Sequence, residues 1–469
     1  MRLVMKFGGI SVADSEKIRH VAELVKSYKD RKTEICVVTS AMYGVTDRLY
    51  EASKSAPNED KTDGLLMFVR ELSDLHHKAA IGSIDDEVIL DEVLSEIDAR
   101  LDEMEKALIG ICHLGELTER SMDYIQSFGE RLSVPILSGA IRSIGVDSEP
   151  MLGGKVGIIT DDVYRNARPL DIAESTIQER LLPVLGDGIV PVVTGYIGET
   201  KKQIITTLGR GGSDYTATII GAGIGADEIW LWKETEGIMS ADPKIIPHAR
   251  RIPAISYIEA MELSFFGANI LHPSALEPAM RNLIPVRVKN TFKPNDPGTI
   301  ITRDLEQDED VVKAITLIKN VALINISGPG LVGSAKVSAR VFSILADESV
   351  DIIIISQGSS ERNISLVIDG PHLKKALRAL KKGFDKTTIR DITYNKDVCA
   401  LAVVGAGMAG VPGVAGRIFT VLGKNDISVI MISQGSSEHN ISLVIEKKDS
   451  RSAIDVIHKE FSLGRGSSD

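Results

Sequence analysis

Cysteine, aromatic residues and long apolar runs are all scarce in this sequence of 469 residues. The three cysteines, Cys36, Cys112 and Cys399, lie far apart, and neither a Cys-x-x-Cys motif nor a His/Cys cluster accompanies them. This pattern indicates a reducing compartment and argues against a structural zinc site. No apolar run reaches the roughly 20 residues that a membrane span needs, and the amino-terminal MRLVMKFGG lacks the apolar core of a signal peptide. We therefore expect a cytoplasmic protein without a membrane partner.

An excess of positive charge is also absent. Lys and Arg number 54 against 65 Asp and Glu, which gives a net charge of −11. Such an acidic chain is a poor candidate for binding nucleic acid, although locally focused positive charge still permits anionic ligands. Aromatic residues supply only 4% of the chain, so we expect a mainly aliphatic core. At roughly 100–200 residues per domain, the length predicts two to four domains.

The last third of the chain contains an internal repeat. The segment ISQGSSERNISLVI at 355–368 returns 77 residues later as ISQGSSEHNISLVI at 432–445. Both copies predict the order strand, glycine-rich loop, helix, strand, strand, helix, which is typical of a small α+β module. After the first copy, TIRDITY supplies a fourth strand, but the second copy ends without one. We hypothesise that residues 313–318 supply that strand, so that the first copy is inserted within the second.

The first 300 residues follow a different pattern, in which short apolar strands end in glycine or small polar residues and amphipathic helices follow. This alternation predicts a parallel sheet with helices on both faces. The predicted strands include residues 3–7, 34–40, 189–195 and 228–232. Between residues 62 and 140, apolar residues at helical spacing predict a long helical insertion.

One motif is a candidate dinucleotide site. GAGMAG at 405–410 matches the GxGxxG fingerprint between a predicted strand and a predicted helix. However, the first repeat carries the related GPGLVG at 328–333, and a unit of 77 residues is too short for a Rossmann domain. We therefore interpret both segments as tight strand-to-helix turns.

Three glycine-bearing turns follow apolar segments of the first 300 residues. They are KFGG at 6–9, TSAMYG at 39–44 and LGRGGSD at 208–214. Glycines let backbone N–H groups approach phosphate oxygens, and a helix N-terminus adds a favourable potential. Lys6 adds a point charge, Arg210 a planar fork suited to a carboxylate, and Asp214 a group able to orient a lysine or a magnesium ion. Together the turns predict a phosphoryl-transfer site at the strand ends of one sheet.

Seven segments of the chain carry a family signature, namely KFGGISV, SAMYGVTD, SFGERLS, GRGGSDYTA, EGIMSADPK, FGANILHP and IPVRVKNTF. They follow the order found in aspartate kinases, and the chain resembles that family over essentially its whole length. The resemblance implies an α/β amino-acid-kinase fold, a three-layer αβα sandwich like that of carbamate kinase, over residues 1–302. It also implies two α+β ferredoxin-like ACT domains at 313–392 and 393–469, the second completed by 313–318 if the repeats interleave. The implied reaction converts ATP and L-aspartate into ADP and 4-phospho-L-aspartate, the first step of lysine, threonine and methionine biosynthesis.

The resemblance also implies roles for individual residues. Lys6 and Asp214 would be catalytic, with Lys6 taking charge from the transferring phosphoryl group and Asp214 orienting Lys6 or the metal. The implied substrate-binding residues are Ser40, Thr46, Glu130, Arg210, Gly211, Gly212 and Ser213, of which Arg210 and Glu130 would hold the α-groups of aspartate. ATP, with Mg²⁺ bound to the nucleotide rather than to a protein metal site, would contact Lys6, Gly8, Gly9, Lys233, Glu234, Met239, Lys244, Lys289 and Asn290.

Four residues depart from the family pattern. Ile10 replaces the threonine that usually follows KFGG. In the segment Trp232-Lys233-Glu234, Glu234 stands where the family usually has an aspartate. Met239 stands where a tyrosine or a small apolar residue is common, and Lys244 replaces an arginine whose bidentate contact a lysine cannot reproduce. We expect these changes to affect nucleotide affinity more than activity.

The repeats imply feedback regulation by an end-product amino acid. The implied effector-binding residues are Ser349, Val350, Asp351, Ser356, Gln357 and Asn363. In the second repeat Ser428 replaces Asp351, so we expect the first repeat to bind the effector and the second mainly to dimerise. Threonine or lysine would be the effector and a homodimer the assembly, while the choice of effector and a further pairing into tetramers stay open.

Two other interpretations stay open from the sequence. Another amino-acid kinase, of the acetylglutamate or glutamate kinase type, is disfavoured by the FGER glutamate, the SAMYGVTD loop and the paired repeats. A catalytically weakened amino-acid sensor is supported only by Ile10 and Glu234.

Overall fold

The computed structural model describes residues 1–58, 62–267, 271–303, 310–328, 335–357, 363–384 and 389–464. The chain divides into two compact units. The first comprises Met1–Ile238, Pro253–Tyr257 and Leu271–Asp304, and the second comprises Met239–Ile252, Ile258–Ile270 and Leu305–Asp469.

The first unit is built on a mainly parallel sheet. Its strands are β1 (Arg2–Phe7), β2 (Glu34–Thr39), β3 (Ser148–Met151), β4 (Ile159–Thr160), β5 (Val190–Thr194), β6 (Ile197–Thr200), β7 (Ile205–Thr207), β8 (Glu228–Lys233), β9 (Ala254–Ser256), β10 (Val286–Asn290) and β11 (Thr299–Thr302). Within the described residues the main sheet has the order β3-β5-β2-β1-β8-β10-β11-β9, and β4, β6 and β7 form a smaller sheet. Strands β1, β2 and β5 are buried along nearly their whole length, as expected for parallel strands covered on both faces. The predicted strands therefore correspond to β1, β2, β5 and β8.

Helices connect these strands. They are α1 (Ser15–Lys29), α2 (Val45–Ser55), α3 (Thr62–Ser83), α4 (Glu87–Leu114), α5 (Glu119–Gln126), α6 (Phe128–Ser143), α7 (Ile172–Gly186), α8 (Gly212–Ile224), α9 (Tyr257–Phe265) and α10 (Glu277–Arg281), of which α9 from Ile258 onward belongs to the second unit. The predicted mixed α/β architecture with parallel strands is thus confirmed.

The helical insertion between β2 and β3 is explained by its apolar spacing and its caps. In α4 the Asp86 carboxylate accepts the Ile89 N–H at 3.0 Å, and Gly115 ends the helix in the left-handed region at φ 64°. The side chains of Val93, Ile97, Leu101, Met104 and Leu108 are all buried in the core of the first unit. Their spacing of three or four residues keeps them on one face, which turns toward α3 and α6.

The second unit contains the repeats and one continuous antiparallel sheet. Its strands are β12 (Ala314–Ser327), β13 (Ile352–Gln357), β14 (Asn363–Asp369), β15 (Asp391–Val404), β16 (Val429–Gln434) and β17 (Asn440–Glu446), and its further helices are α11 (Ala335–Asp347), α12 (Leu373–Gly383), α13 (Val414–Lys424) and α14 (Ser450–Glu460). Within the described residues the strand order is β13-β14-β12-β15-β17-β16.

Two long strands are shared by the repeats. Residues Ala314–Ile318 of β12 pair with Val404–Ala400 of β15, next to β17 of the second repeat. The later part of β12 pairs with β14 and with the first part of β15, which belong to the first repeat. The sheet of the second repeat therefore contains a strand from before the first repeat.

The second compact unit also includes two segments from before residue 302. Ala241, Ile245 and Ile246 pack into the same core cluster as Leu401 and Leu443 of the repeats, which groups residues 239–252 with the second unit. Backbone pairing adds to this, because the Ile315 N–H donates to the Ser240 carbonyl at 2.9 Å. The predicted domain limits stay a prediction.

The GAGMAG segment of the second repeat forms a tight turn. A side chain at Gly405 would place its Cβ 2.3 Å from the Val311 carbonyl oxygen, so glycine is required by close backbone approach. The Ala406 N–H donates to the buried Glu259 carboxylate at 2.6 Å. This N–H group therefore points at a protein carboxylate rather than at a phosphate. The counterpart GPGLVG lies, from residue 329 onward, outside the described residues.

Among the described helices, none combines the length and the apolar character that a membrane span requires.

We predict that the α4 face is a main source of stability for the first unit. Met104 is fully buried, so Met104→Ala should lower the free energy of unfolding by about 2–5 kcal/mol through lost transfer energy and a residual cavity. The matched control is Met67→Ala on α3, where the side chain is 62% exposed and the change should stay within about 0.5 kcal/mol. Urea unfolding followed by fluorescence is specific here, since both tryptophans, Trp230 and Trp232, lie in this unit. Equal effects of the two substitutions would contradict the assignment.

Candidate active site

A cavity of about 520 Å³ lies in the first unit, where β1 and β2 end and α8 begins. Its lining residues are Lys6, Ser40, Thr46, Asp47, Tyr50, Gln126, Glu130, Arg165, Tyr196, Gly209, Arg210, Gly211, Gly212, Ser213 and Asp214. The structure therefore brings together the predicted catalytic pair and every predicted substrate-binding residue.

Asp214 bridges two lysines at one end of the cavity. Its Oδ1 lies 2.6 Å from Lys6 Nζ and its Oδ2 lies 2.7 Å from Lys233 Nζ. The three side chains come from α8, β1 and β8, and β1 and β8 are adjacent parallel strands. The cluster has one carboxylate for two ammonium groups, so it carries a net positive charge, and of its three residues Lys6 and Asp214 line the cavity.

Burial and charge act in opposite directions on this cluster. Burial alone would raise the pKa of Asp214, but the charges of Lys233 and Lys6 outweigh it and hold the pKa at about 2. Burial lowers the pKa of Lys6, and the Asp214 carboxylate partly opposes that shift. Asp214 is thus ionised at neutral pH, and both of its oxygens are engaged by lysines. The contacts with Lys6 and Lys233 are compatible with the predicted orienting role, and the choice between orienting a lysine and orienting a metal stays a prediction.

The GRGG turn requires its glycines. Gly209 and Gly211 adopt φ values of 75° and 74°, in the left-handed region that favours glycine. A Cβ on Gly211 would also lie 2.4 Å from the Cβ of His272. The turn exposes Arg210 at the cavity and places Gly211 as the N-cap of α8, so that Ser213 and Asp214 fall in the first helical turn.

Glu130 is the second buried carboxylate of the cavity. It lies in the first turn of α6, its side chain is almost fully buried, and its Oε2 has no hydrogen-bond partner. Burial raises the pKa of Glu130 to about 8, against backbone hydrogen bonds from Ala41 and Glu130 and the charge of Lys6. A buried, unsatisfied carboxylate is costly, and a cationic ligand group would offset that cost.

Close backbone approaches bring the SAMYGVTD and FGER segments together. A Cβ on Gly129 would lie 2.7 Å from the Ala41 Cβ, and a Cβ on Gly9 would lie 2.9 Å from the Ala41 carbonyl oxygen. Ser133 Oγ donates to the Ser40 carbonyl at 2.8 Å and fixes the loop against α6. The KFGG, SAMYGVTD and FGER segments therefore lie against one another.

Several predicted nucleotide contacts belong to the first unit but do not line this cavity. They are Gly8, Gly9, Lys233, Glu234, Lys289 and Asn290. Lys289 is buried, its Nζ donates to the Asp296 carbonyl at 2.8 Å, and it lies 5.2 and 5.3 Å from the ring centroids of Trp230 and Trp232. Asn290 Nδ2 donates to the Glu234 carbonyl at 3.2 Å, so it holds the backbone of the β8 end. Their roles in binding ATP stay predictions.

The remaining predicted residues lie in the second unit. Met239 forms an isolated bridge with Arg251, and the Lys244 N–H donates to the Asp242 carboxylate at 2.9 Å. The predicted effector residues are Ser349, Val350, Asp351, Ser356, Gln357 and Asn363, which lie before and on β13 and at the start of β14. Asp351 is exposed, and Ser349 adopts a left-handed φ of 51° just before it. Their binding roles also stay predictions.

The structure adds cavity residues that the sequence did not single out: Asp47, Tyr50, Gln126, Arg165, Tyr196 and Gly209. Gln126 precedes Glu130 by four residues and accepts the Tyr196 hydroxyl at 2.8 Å, while Tyr50 follows Thr46 by four residues in α2. Helical spacing within α2 is therefore the signal that points to Tyr50, whereas Gln126 ends α5 and Glu130 lies in α6. Arg165 carries no such signal.

No group of three or more His, Cys, Asp or Glu side chains that could hold a metal ion occurs among the described residues.

The comparisons with known proteins agree with this geometry. Residues 1–290 match the model of the amino acid kinase family, and residues 324–384 and 401–461 each match an ACT domain. The chain is 34% identical, over 98% of its length, to the chloroplastic aspartokinase 1 of Arabidopsis thaliana, of which it covers 80%.

Solved structures show the same similarity. The E. coli aspartokinase III in complex with aspartate and ADP is 26% identical with a TM-score of 0.81, covering 98% of this chain and 99% of that one. The Clostridium acetobutylicum aspartate kinase is 27% identical with a TM-score of 0.76, covering 98% of this chain and 100% of that one. The E. coli enzyme is also known in complex with lysine and aspartate, with a TM-score of 0.81. This chain belongs to the aspartokinase family, in which an amino acid kinase domain precedes tandem ACT domains.

Proposed function

We propose that this chain transfers the γ-phosphoryl group of ATP to the β-carboxylate of L-aspartate, giving ADP and 4-phospho-L-aspartate. The observation that carries the proposal is the joint presence, in one cavity, of the Lys6–Asp214 pair, which Lys233 joins from outside the lining, and of Glu130, whose Oε2 has no hydrogen-bond partner. The first suits a transferring phosphoryl group, and the second suits the ammonium group of a free amino acid. The E. coli relative that binds aspartate and ADP supports the same pairing of ligands.

The phosphoryl end needs charge neutralisation rather than a general base. The β-carboxylate is already ionised, so one of its oxygens can attack the γ-phosphorus while the bond to the bridging oxygen of ADP breaks. Lys6 and Lys233 neutralise the charge on the transferring group, and Asp214 fixes both ammonium groups before the reaction. Mg²⁺ would arrive with ATP and supply further neutralisation at the phosphates.

The aspartate end needs one anionic and one cationic contact. Glu130 would accept the α-ammonium group, whose charge relieves the buried carboxylate. Arg210, exposed on the GRGG turn, would bind the α-carboxylate. An acetylated amino group has no charge to offer Glu130, which disfavours an acetylglutamate kinase. The intact lysine cluster likewise disfavours a sensor without catalysis.

Regulation follows from the second unit. We propose that an end-product amino acid binds the first repeat at Asp351, with Gln357 and Asn363 reading its side chain, and that the chain forms a homodimer through its ACT domains. The E. coli relative binds lysine, which supports lysine as the effector ahead of threonine. The cytoplasmic location and a further pairing into tetramers stay predictions, and the plant relative is chloroplastic.

The lysine cluster provides the first functional prediction. Lys6→Ala and Asp214→Asn should each lower kcat by about 100- to 1,000-fold, because each removes preorganised charge stabilisation. Lys201→Ala is the matched control, since that lysine is exposed and does not line the cavity. The measurement is ADP release from Mg-ATP that depends on L-aspartate. Full activity of Lys6→Ala, or a preference for N-acetyl-L-glutamate in the unmodified chain, would overturn the proposed function.

The raised pKa of Glu130 predicts a pH dependence. Below pH 8 the free protein holds a proton on Glu130, whose pKa is about 8, and that proton must leave before the carboxylate can pair with the substrate ammonium. The kcat/KM for aspartate should therefore rise about tenfold per pH unit up to that pKa and then level off. Glu130→Gln should raise the KM for aspartate and remove this rise. A rising limb that survives in Glu130→Gln would assign it to another group.

The effector assignment predicts an asymmetry between the repeats. Asp351→Ala should raise the concentration of lysine or threonine needed for half-inhibition by at least about tenfold, because it removes a charge-assisted contact to the effector ammonium. Ser428→Ala, at the corresponding position of the second repeat, should leave that concentration unchanged. Equal inhibition of the unmodified and Asp351→Ala proteins would contradict the assignment.

A further inference from the structure

We propose that Arg165 is a second carboxylate-binding residue of the substrate pocket, which contacts the α-carboxylate of aspartate beside Arg210 and sets specificity for it. Asp123 is the positioning residue that holds Arg165 in place. The inference rests on the proposed function, since it assumes that the cavity binds a free amino acid.

The backbone of Arg165 is held in an unusual conformation. Its φ is 68°, in the left-handed region that non-glycine residues rarely adopt. The Asp123 carboxylate accepts the Arg165 N–H with Oδ1 at 3.0 Å and Oδ2 at 2.9 Å. The same carboxylate accepts the Thr207 N–H at 2.9 Å and the Thr207 hydroxyl at 2.8 Å. A fully buried carboxylate thus fixes the turn at Arg165 to β7 of the smaller sheet.

This turn lies directly against the GRGG turn. A Cβ on Gly209 would lie 2.9 Å from both the Arg165 carbonyl oxygen and the Asn166 side-chain oxygen. Gly209 immediately precedes Arg210, so the backbone segments that carry the two arginines are in contact. Both line the same cavity.

The Arg165 side chain is exposed at the cavity wall, with its guanidinium carbon 5.8 Å from the Tyr50 ring centroid. Within the described part of the chain, no carboxylate forms an ion pair with this guanidinium. A strained and braced residue therefore presents its guanidinium at the cavity, with the Tyr50 side chain as its hydrogen-bonding neighbour. Strain of this kind is typical of functional sites.

The chemistry of the substrate identifies the ligand of this cation. The β-carboxylate is the nucleophile and must face Lys6, and the ammonium group pairs with Glu130. The α-carboxylate remains, with two oxygens that can each accept from a guanidinium fork. Arg210 stands between two left-handed glycines, whereas the Arg165 N–H is shared by both oxygens of Asp123, which Thr207 holds through two further hydrogen bonds. The second arginine therefore starts from the more firmly held backbone and supplies the fixed contact.

The test uses Arg165→Gly, because glycine adopts φ 68° without strain and keeps the turn intact. We expect the KM for L-aspartate to rise about 10- to 100-fold, as for the loss of hydrogen bonds to a charged group. The kcat, the KM for ATP and the thermal midpoint of unfolding should stay close to those of the unmodified chain. Arg165→Lys keeps the charge but not the fork, and it should recover part of the affinity.

L-isoasparagine, the α-amide of aspartate, identifies the contacted group, since it keeps the β-carboxylate and the ammonium group. The unmodified chain should prefer aspartate over isoasparagine, and Arg165→Gly should lose about the same factor in this preference as it loses in KM. An unchanged KM for aspartate in active Arg165→Gly, or an equal rise in KM for both substrates, overturns the inference alone. An unmodified chain that does not phosphorylate aspartate overturns the proposed function and this inference with it.

Asp123→Asn separates positioning from folding. If Asp123 acts through Arg165, Asp123→Asn raises the KM for aspartate in the unmodified chain but not further in the Arg165→Gly background. General damage to the fold would instead lower kcat and raise KM in both backgrounds, and that result overturns the positioning role.

Discussion

The bridge from Asp214 to Lys6 and Lys233 is the interaction on which the rest of the site depends. Two ammonium groups are held within 2.7 Å of one buried carboxylate, and removing that carboxylate would leave the buried Lys6 beside the partly buried Lys233 with no opposite charge between them. The bridge requires β1 and β8 to be neighbours in fixed register, with Lys6 opposite Leu231 and Phe7 opposite Trp232. The stacked rings of Phe7 and Trp232, with centroids 5.9 Å apart, support that register from the core side. The packing that fixes β1 beside β8 therefore also fixes the positions of Lys6 and Lys233 at the site.

The two buried carboxylates of the cavity differ through their neighbours. Asp214 has its charge compensated within the chain, and its pKa stays at about 2. Burial raises the pKa of Glu130 to about 8, because two backbone hydrogen bonds and the charge of Lys6 offset it only in part. The charge of Asp214 is therefore compensated before any ligand binds, whereas Glu130 gains a fully paired carboxylate only with a cationic ligand group. This difference between the two carboxylates follows from burial and distance rather than from composition, so the net charge of −11 does not predict it.

Features that depend on local pattern could be predicted from the sequence. The parallel strands were visible as apolar runs, and the site turns as glycines beside Lys6, Arg210 and Asp214. The ion pair between Lys233 and Asp214 could not be predicted, because it joins the end of β8 to the start of α8 and forms only after the sheet is assembled. Arg165 was missed for the same reason: its placement depends on Asp123, 42 residues away in the chain. In the second unit, β12 and β15 each join two predicted strands into one, across register shifts between Ile318 and Leu323 that leave no pattern in the sequence.

The grouping of residues 239–252 with the repeats has a consequence for regulation. The Ser240 carbonyl accepts the Ile315 N–H of β12, the Ser240 hydroxyl lies 3.0 Å from His458 of α14, and Ile245 and Ile246 fill the core of the second repeat. This segment carries Met239 and Lys244, two of the predicted nucleotide contacts. A shift of β12, the strand that both repeats share, would therefore move the segment through hydrogen bonds and packing inside the second unit. The predicted nucleotide contacts Met239 and Lys244 thus lie on a segment that packs into the core of the second repeat.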